Sequence, residues 1–287
     1  MTELLDPHGE HAAALEHEYN ARVAIPEHVD ILAGWQDRSA AFRARAEGRL
    51  DMRCVGRGRP AVDYFTAGGI RAPLLIYAHG GYWQRGDRKD YSFLAAPFVA
   101  RGVNVALVGY DLCPAVTLGD IVEQLRVACA WLWRQAATLG HDRGRIYIGG
   151  HSAGAHLAAV MLATEWPALD NSLPLGLLRG GFAVSGVYDL SPLRATSIND
   201  LVGLDADAAR RWSPLWMIPR DGVSLLLAVG GDESAAFRQQ TAALAQAWRP
   251  VITASVQVPG ANHFTVLESL ADGQGLVYEH AWSLIAD

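Results

Sequence analysis

From about Ala72 onward the chain alternates short apolar or β-branched runs with longer stretches of helical periodicity. That alternation is the pattern of a mostly parallel sheet with helices on both faces. Segments 73–78, 103–109, 145–148, 182–185 and 225–229 are nearly continuous apolar runs, so they are predicted as strands buried on both sides. Ile252–Val258 alternates apolar with polar residues, which predicts a strand nearer the edge. Residues 120–139 place Ile121, Leu125, Ala128 and Leu132 on one face, start with an acid and are followed by Gly140, the marks of an amphipathic helix. Further helices are predicted at 234–248 and at 278–284. Ahead of the sheet, residues 1–50 read as helical, most clearly 30–47 closed by Gly48, and 51–67 as an antiparallel leading strand or hairpin. No repeat, low-complexity tract or linker interrupts the pattern, which predicts one domain over 1–287 with an N-terminal helical extension.

Glycine pairs fall where strands are expected to finish: Gly80-Gly81, Gly149-Gly150, Gly180-Gly181 and Gly230-Gly231. In an open α/β sheet the ligand crevice lies beyond the carboxyl ends of the strands, and glycine there permits tight turns and close backbone approach. At Gly180-Gly181 plain turn punctuation is the expectation.

The sharpest local signal is Gly150-His151-Ser152-Ala153-Gly154, with a predicted strand before it and an Ala-rich helix after. In that context G-x-S-x-G is a nucleophile elbow: a sharp strand-to-helix turn crowds out Cβ atoms at both glycines and leaves the serine hydroxyl exposed above the sheet. A serine needs a base, and with this elbow the partners follow in the order acid, then histidine. Past Ser152 the only histidines are His263, in the loop after the edge strand, and His280, in the terminal helix where a surface position is expected. His263 is therefore the candidate base. For the acid, Asp232 and Glu233 are adjacent at a strand end, and either could orient the imidazole while the other caps the following helix. Asp189 is a third candidate and reads more naturally as a turn residue. His79-Gly80-Gly81-Tyr82-Trp83, directly after the first buried strand, has the form of an oxyanion loop, with the amides of Gly81, Tyr82 and Ala153 as donors. His79 is expected to hold that loop. His151 and His156 are expected to pack around the elbow, and with no ligand spacing beside them neither a metal nor another cofactor is called for.

Composition narrows the partners. The 287 residues carry 24 Lys+Arg and 30 Asp+Glu, a net charge of −6, with no long basic run, so the chain has no electrostatic footprint for nucleic acid or an anionic membrane and neither is expected as a partner. No apolar run approaches the ~18 residues of a membrane span, and residues 1–10 carry no apolar stretch of a secretion signal. Cys54, Cys113 and Cys129 are an odd number at unrelated spacings, which fits reduced thiols in a cytoplasmic protein better than a disulfide framework. A small-molecule substrate is the expected partner; whether the chain is a monomer or a homodimer stays open.

These motifs together make the chain resemble the α/β-hydrolase-fold kynurenine formamidases (arylformamidases), relatives of the hormone-sensitive-lipase-like esterases. The resemblance runs through Glu18-Tyr-Asn20, His79-Gly-Gly-Tyr-Trp-Gln84, Tyr110-Asp-Leu-Cys-Pro114, the elbow with Ala155-His156-Leu157-Ala158, Ser185-Gly-Val-Tyr-Asp-Leu190, Ser213-Pro214, Glu233-Ser234 and Asn262-His-Phe264. It implies Ser152, Glu233 and His263 as nucleophile, acid and base. It also implies cleavage of N-formyl-kynurenine to kynurenine and formate through a formyl-enzyme, a step in tryptophan catabolism. Tyr82, Trp83, Tyr188 and Phe264 are the candidate contacts for the aryl ring. A carboxylesterase acting on small acyl or aryl esters fits the same motifs. A catalytically silent ligand-binding member would be expected to have lost the serine or the histidine, and both are present.

Overall fold

The computed structural model describes residues 7–54 and 61–286. Eight strands form one sheet: β1 (Gly48–Arg53), β2 (Ala61–Phe65), β3 (Ala72–Ala78), β4 (Asn104–Val108), β5 (His141–His151), β6 (Gly180–Val184), β7 (Ser224–Gly230) and β8 (Ile252–Val258). Their spatial order is β1-β2-β4-β3-β5-β6-β7-β8. β1 and β2 pair antiparallel, and β2 joins β4 antiparallel. Every pairing from β4 to β8 is parallel. The expected hairpin is therefore present; its connection, residues 55–60, and residues 1–6 of the extension lie outside the described residues.

β3 shows why its sequence is apolar at every position. Leu74, Ile76 and Ala78 enter one core layer, with the helices Leu118–Arg134 and Ala153–Leu162. Leu75 and Tyr77 enter the other, with His28–Arg43 and Leu276–Ala286. Side chains alternate with period two, and both faces are covered, so no position is left for a polar residue. Each such Leu or Ile withdrawn from water contributes about 1.5–3 kcal/mol. β8 lies at the sheet edge and alternates half-buried with exposed residues, as its pattern predicts.

Several boundaries differ from the sequence expectation. The N-terminal helix runs His28–Arg43 and is not closed by Gly48, which opens β1. A Cβ at Gly48 would stand 2.1 Å from the Tyr64 carbonyl oxygen, so the glycine serves strand pairing. Gly180 and Gly181 are not turn punctuation either: both lie inside β6, where added Cβ atoms would meet Ser224 O at 2.3 Å and Ile148 O at 1.8 Å. The helix predicted at 120–139 begins two residues earlier, because Thr117 and Asp120 form a reciprocal capping box, and it breaks at Gln135 before a last turn, Ala136–Leu139, that ends on left-handed Gly140. Among the described residues no two cysteines form a disulfide, and burial raises the pKa of Cys113 to about 11. No described helix is long and apolar enough to cross a membrane.

The parallel order decides where chemistry can occur. β3 and β5 are neighbours, so the loop leaving β3 and the turn leaving β5 lie side by side, and the ends of β6, β7 and β8 complete the same rim.

Candidate active site

Ser152 sits at the end of β5 with φ 56° and ψ −119°, a conformation in which few non-glycine residues are found. Its surroundings enforce that geometry. A Cβ at Gly150 would lie 2.2 Å from the Gly154 carbonyl oxygen, and one at Gly154 would lie 2.0 Å from that of Ala78. Both motif glycines are thus demanded by the close approach of the helix Ala153–Leu162 to the sheet. The Ser152 amide donates to Val184 O at 2.8 Å, tying the turn to β6.

His263 follows β8 in a loop fixed by Asn262, whose side-chain oxygen accepts the amides of Phe264 and Thr265 at 2.9 Å each. Its Nε2 is 3.0 Å from Ser152 Oγ, and its Nδ1 is 2.7 Å from Glu233 Oε2. A carboxylate only accepts, so Nδ1 carries the proton and Nε2 is left to accept from the serine hydroxyl. Glu233 Oε1 accepts the Gly230 amide at 2.7 Å and the Ser185 hydroxyl. All three side chains are buried.

Of the two adjacent acids, Glu233 therefore faces His263 and Asp232 points to solvent. Asp232 does not cap the helix Ala235–Ala247, as was expected of the second acid. Ser234 accepts the Phe237 amide there, and Glu18 of the N-terminal extension accepts that of Ala236 at 2.8 Å. Asp189 is a turn residue, accepting the Ser191 amide at 3.0 Å. Ser185 opens one of the segments that carry the resemblance, but its sequence assigned it no role. Its signal is its place at the end of β6, where its φ of +54° turns the side chain toward β7's terminal loop.

The loop after β3 holds three successive residues at positive φ, Gly81 (114°), Tyr82 (50°) and Trp83 (58°). The amides of Gln84 and Arg85 donate to Gly81 O at 3.1 Å and close the turn. Among the described residues the amides of Gly81, Tyr82 and Ala153 donate to no carbonyl, and Gly81 and Tyr82 line the same cavity as Ser152. His79 holds the loop as expected: its Nδ1 is 2.8 Å from Gly80 O, and its ring stacks on Tyr110 with centroids 4.1 Å apart.

His151 and His156 each use Nε2 on a carbonyl, His263 O at 2.7 Å and Trp212 O at 2.6 Å, so each ring is a neutral donor. Burial pushes the His156 pKa down to about 4 and holds that of His151 well below 6.5, with the neighbouring His263 adding to the latter. His151 therefore fixes the backbone of His263. Among the described residues no three His, Cys, Asp or Glu side chains cluster so as to hold a metal ion.

A cavity of about 630 Å³, mouth included, opens over Ser152 and His263. Of the four candidate aryl contacts, Tyr82 and Phe264 line it. Trp83 and Tyr188 do not: both are wholly buried, Trp83 edge-on against His156 and Tyr188 beneath Gly186. Large aromatic residues near motif glycines serve here as core. The sequence reading missed the cavity's outer wall, to which Asn20, Arg22, Gln84, Arg85 and Tyr91 contribute. Asn20 and Arg22 belong to the N-terminal extension, which is clasped to the sheet rim. Tyr82 Oη donates to Tyr19 O at 2.5 Å, Gln240 to Tyr19 Oη at 3.0 Å and Ser234 Oγ to Glu18 O at 2.6 Å.

An eight-stranded, mostly parallel sheet with a serine at the strand–helix turn and a histidine–carboxylate pair behind it defines a hydrolase of the α/β-hydrolase fold. The BD-FAE family model matches residues 65–247. The chain is 33% identical to the kynurenine formamidase of Salmo salar over 90% of its length and 87% of that protein's, and 36% identical to that of Danio rerio over 86% and 84%. A crystal structure of a Silicibacter sp. TM1040 protein described as a candidate thioesterase superposes with a TM-score of 0.82 at 32% identity, covering 95% of this chain and 99% of that one. The chain belongs to the kynurenine formamidase family.

Proposed function

We propose that the protein hydrolyses an aryl formamide, N-formyl-kynurenine or a close analogue, by a serine mechanism. The observation that carries this reading is the hydrogen-bonded series Ser152–His263–Glu233, at 3.0 and 2.7 Å, on the floor of a cavity walled by Tyr82, Tyr91 and Phe264. Its family supports the choice of formamide.

In this mechanism His263 Nε2 takes the Ser152 proton as Oγ attacks the formyl carbon. The oxyanion that forms is stabilised by the amides of Gly81, Tyr82 and Ala153, and Glu233 stabilises the imidazolium. The C–N bond then breaks, His263 returns the proton to the departing arylamine nitrogen, and Ser152 is left formylated. Water, deprotonated by the same nitrogen, attacks the formyl ester; the bond from the formyl carbon to Oγ breaks as His263 returns the proton to Oγ, and formate leaves. An arylamine is less basic than an alkylamine and leaves readily once protonated. The formyl carbon bears only hydrogen, so the acyl side needs little room.

Comparing kcat/KM for N-formyl-kynurenine with that for p-nitrophenyl acetate on one preparation tests the reading. The formamide is expected to be the better substrate. Turnover of the ester with no measurable cleavage of the formamide would replace the reading by that of a carboxylesterase.

A further inference from the structure

Glutamate is a long acid for its place beside His263. Its terminal torsion is soft and it has one more rotatable bond than aspartate, so a carboxylate that must aim one oxygen at the imidazole has to be held by the other. Two donors hold it. Oε1 accepts the Gly230 amide at 2.7 Å and the Ser185 hydroxyl, while Oε2 faces His263 Nδ1 at 2.7 Å. Gly230 belongs to the same turn as Glu233, whose own amide donates back to Gly230 O at 3.3 Å, so that donor cannot fix the turn against the rest of the sheet. Ser185 comes from a separate strand. The peptide joining Val184 to Ser185 is clamped from both sides: its carbonyl accepts the Ser152 amide at 2.8 Å, and its N–H donates to Ala228 O at 2.8 Å. One peptide plane thus links β5, which carries the nucleophile, to β7, which leads to the acid.

The backbone at Ser185 bears on why a side chain is kept there. Its φ of +54° lies in the region that glycine enters freely and other residues enter at a cost. Gly186, next in the chain, is glycine for a different reason, since a Cβ there would stand 2.5 Å from the Tyr188 ring. Ser185 is wholly buried, and among the described residues its hydroxyl makes no hydrogen bond but the one to Glu233. It does not line the cavity over Ser152. A strained, buried serine whose single side-chain bond ends on the acid is placed for that bond.

We propose that Ser185 is a positioning residue: its hydroxyl fixes Oε1 of Glu233 to the clamped end of β6, so that Oε2 stays aimed at His263 Nδ1–H throughout the reaction. It acts on turnover through the acid and makes no contact with substrate. The proposal rests on the Ser152–His263–Glu233 mechanism proposed above, but not on which acyl group is cleaved.

The test measures kcat, KM and melting temperature for Ser185→Ala, Ser185→Gly, Glu233→Gln and the double variant Ser185→Gly/Glu233→Gln, on N-formyl-kynurenine and on p-nitrophenyl acetate. Both single Ser185 variants are expected to lose about 10- to 100-fold in kcat, the range of a hydrogen bond to a charged group, with KM little changed and by the same factor on either substrate. Glycine removes the backbone strain that alanine keeps, so Ser185→Gly should melt above Ser185→Ala while losing as much activity. On the Glu233→Gln background, Ser185→Gly should add less than about twofold, because the group it acts through is already gone. A Ser185→Gly enzyme within about twofold of wild type beside an inactive Glu233→Gln overturns the proposal. So does an activity loss that tracks the melting temperature, or one that multiplies in full with that of Glu233→Gln, either of which marks a merely structural serine. Wild-type rates in Glu233→Gln remove the mechanism and the proposal with it. If the formamide is not cleaved while the ester shows the pattern expected, the formamidase reading fails and the role of Ser185 stands.

Discussion

Replacing Glu233 by glutamine preserves volume and length but turns one acceptor into a donor. Both carboxylate oxygens are in use: Oε1 takes the Gly230 amide at 2.7 Å and the Ser185 hydroxyl, and Oε2 takes His263 Nδ1–H at 2.7 Å. Two donors converge on the first position, so the single amide oxygen of glutamine belongs there and its NH2 group turns toward His263. A donor then faces a donor. The imidazole relieves this by moving its proton to Nε2, and the nitrogen 3.0 Å from Ser152 ceases to be an acceptor. Loss of the correct tautomer costs about 10⁴-fold in kcat, equivalent to about 5.5 kcal/mol of barrier. Thermal unfolding should move little by comparison, since about 1.5–3 kcal/mol of charge-assisted hydrogen bonding is lost while a buried carboxylate is also removed. Asp232 is exposed, and Asp232→Asn is expected to stay within about twofold of wild type. Initial rates of kynurenine release, measured alongside melting curves, decide the matter. A Glu233→Gln enzyme within tenfold of wild type, or an inactive Asp232→Asn enzyme, would refute the assignment.

Two further outcomes follow from buried groups. His141 and His156 are buried, with pKa values lowered to about 4 from 6.5, so the folded chain binds fewer protons than the unfolded one between those values. That share of stability is complete above pH 6.5 and declines as pH falls toward 4, by up to about 3 kcal/mol for each group. His156→Gln, whose amide can still donate to Trp212 O, should flatten the decline in denaturant titrations between pH 7 and 5, and a slope equal to wild type would count against the cause given. Gly154→Ala drives a methyl group to 2.0 Å from Ala78 O and should destabilise by about 3 kcal/mol or more with loss of activity, whereas Gly176→Ala, with nothing within 4 Å, should stay within about 1 kcal/mol on the same melting assay.

The central strands were legible because they are covered on both faces, so the run from Leu74 to Ala78 has no choice but to be apolar, and the elbow was legible because its five residues form a local pattern between a strand and a helix, although only Gly150 answers to a contact close in sequence while Gly154 answers to Ala78 O. The choice between Asp232 and Glu233 was implied by the resemblance alone and not by spacing, since it depends on the Gly230 amide and the Ser185 hydroxyl, the latter delivered by a separate strand. Gly180 and Gly181 misled for a related reason: the backbones that exclude their Cβ atoms belong to β5 and β7, remote in sequence. Trp83 and Tyr188 carry the right chemistry for an aryl contact, and only three-dimensional packing reveals them as core. The outer wall of the cavity was invisible because Arg22 lies about 130 positions before Ser152 in a segment legible only as helical, and its place at the site comes from clasps such as Tyr82 to Tyr19.

The central claim is that Ser152 attacks an aryl formamide, and the most direct measurement is the rate of kynurenine release from N-formyl-kynurenine by Ser152→Ala beside wild type, with circular dichroism and melting curves on both. The hydroxyl-to-hydrogen change leaves the elbow's backbone contacts in place, so the variant is expected to fold and melt like wild type while its rate falls by about 10⁴-fold or more. A folded Ser152→Ala protein that keeps a substantial part of the wild-type rate would contradict the account.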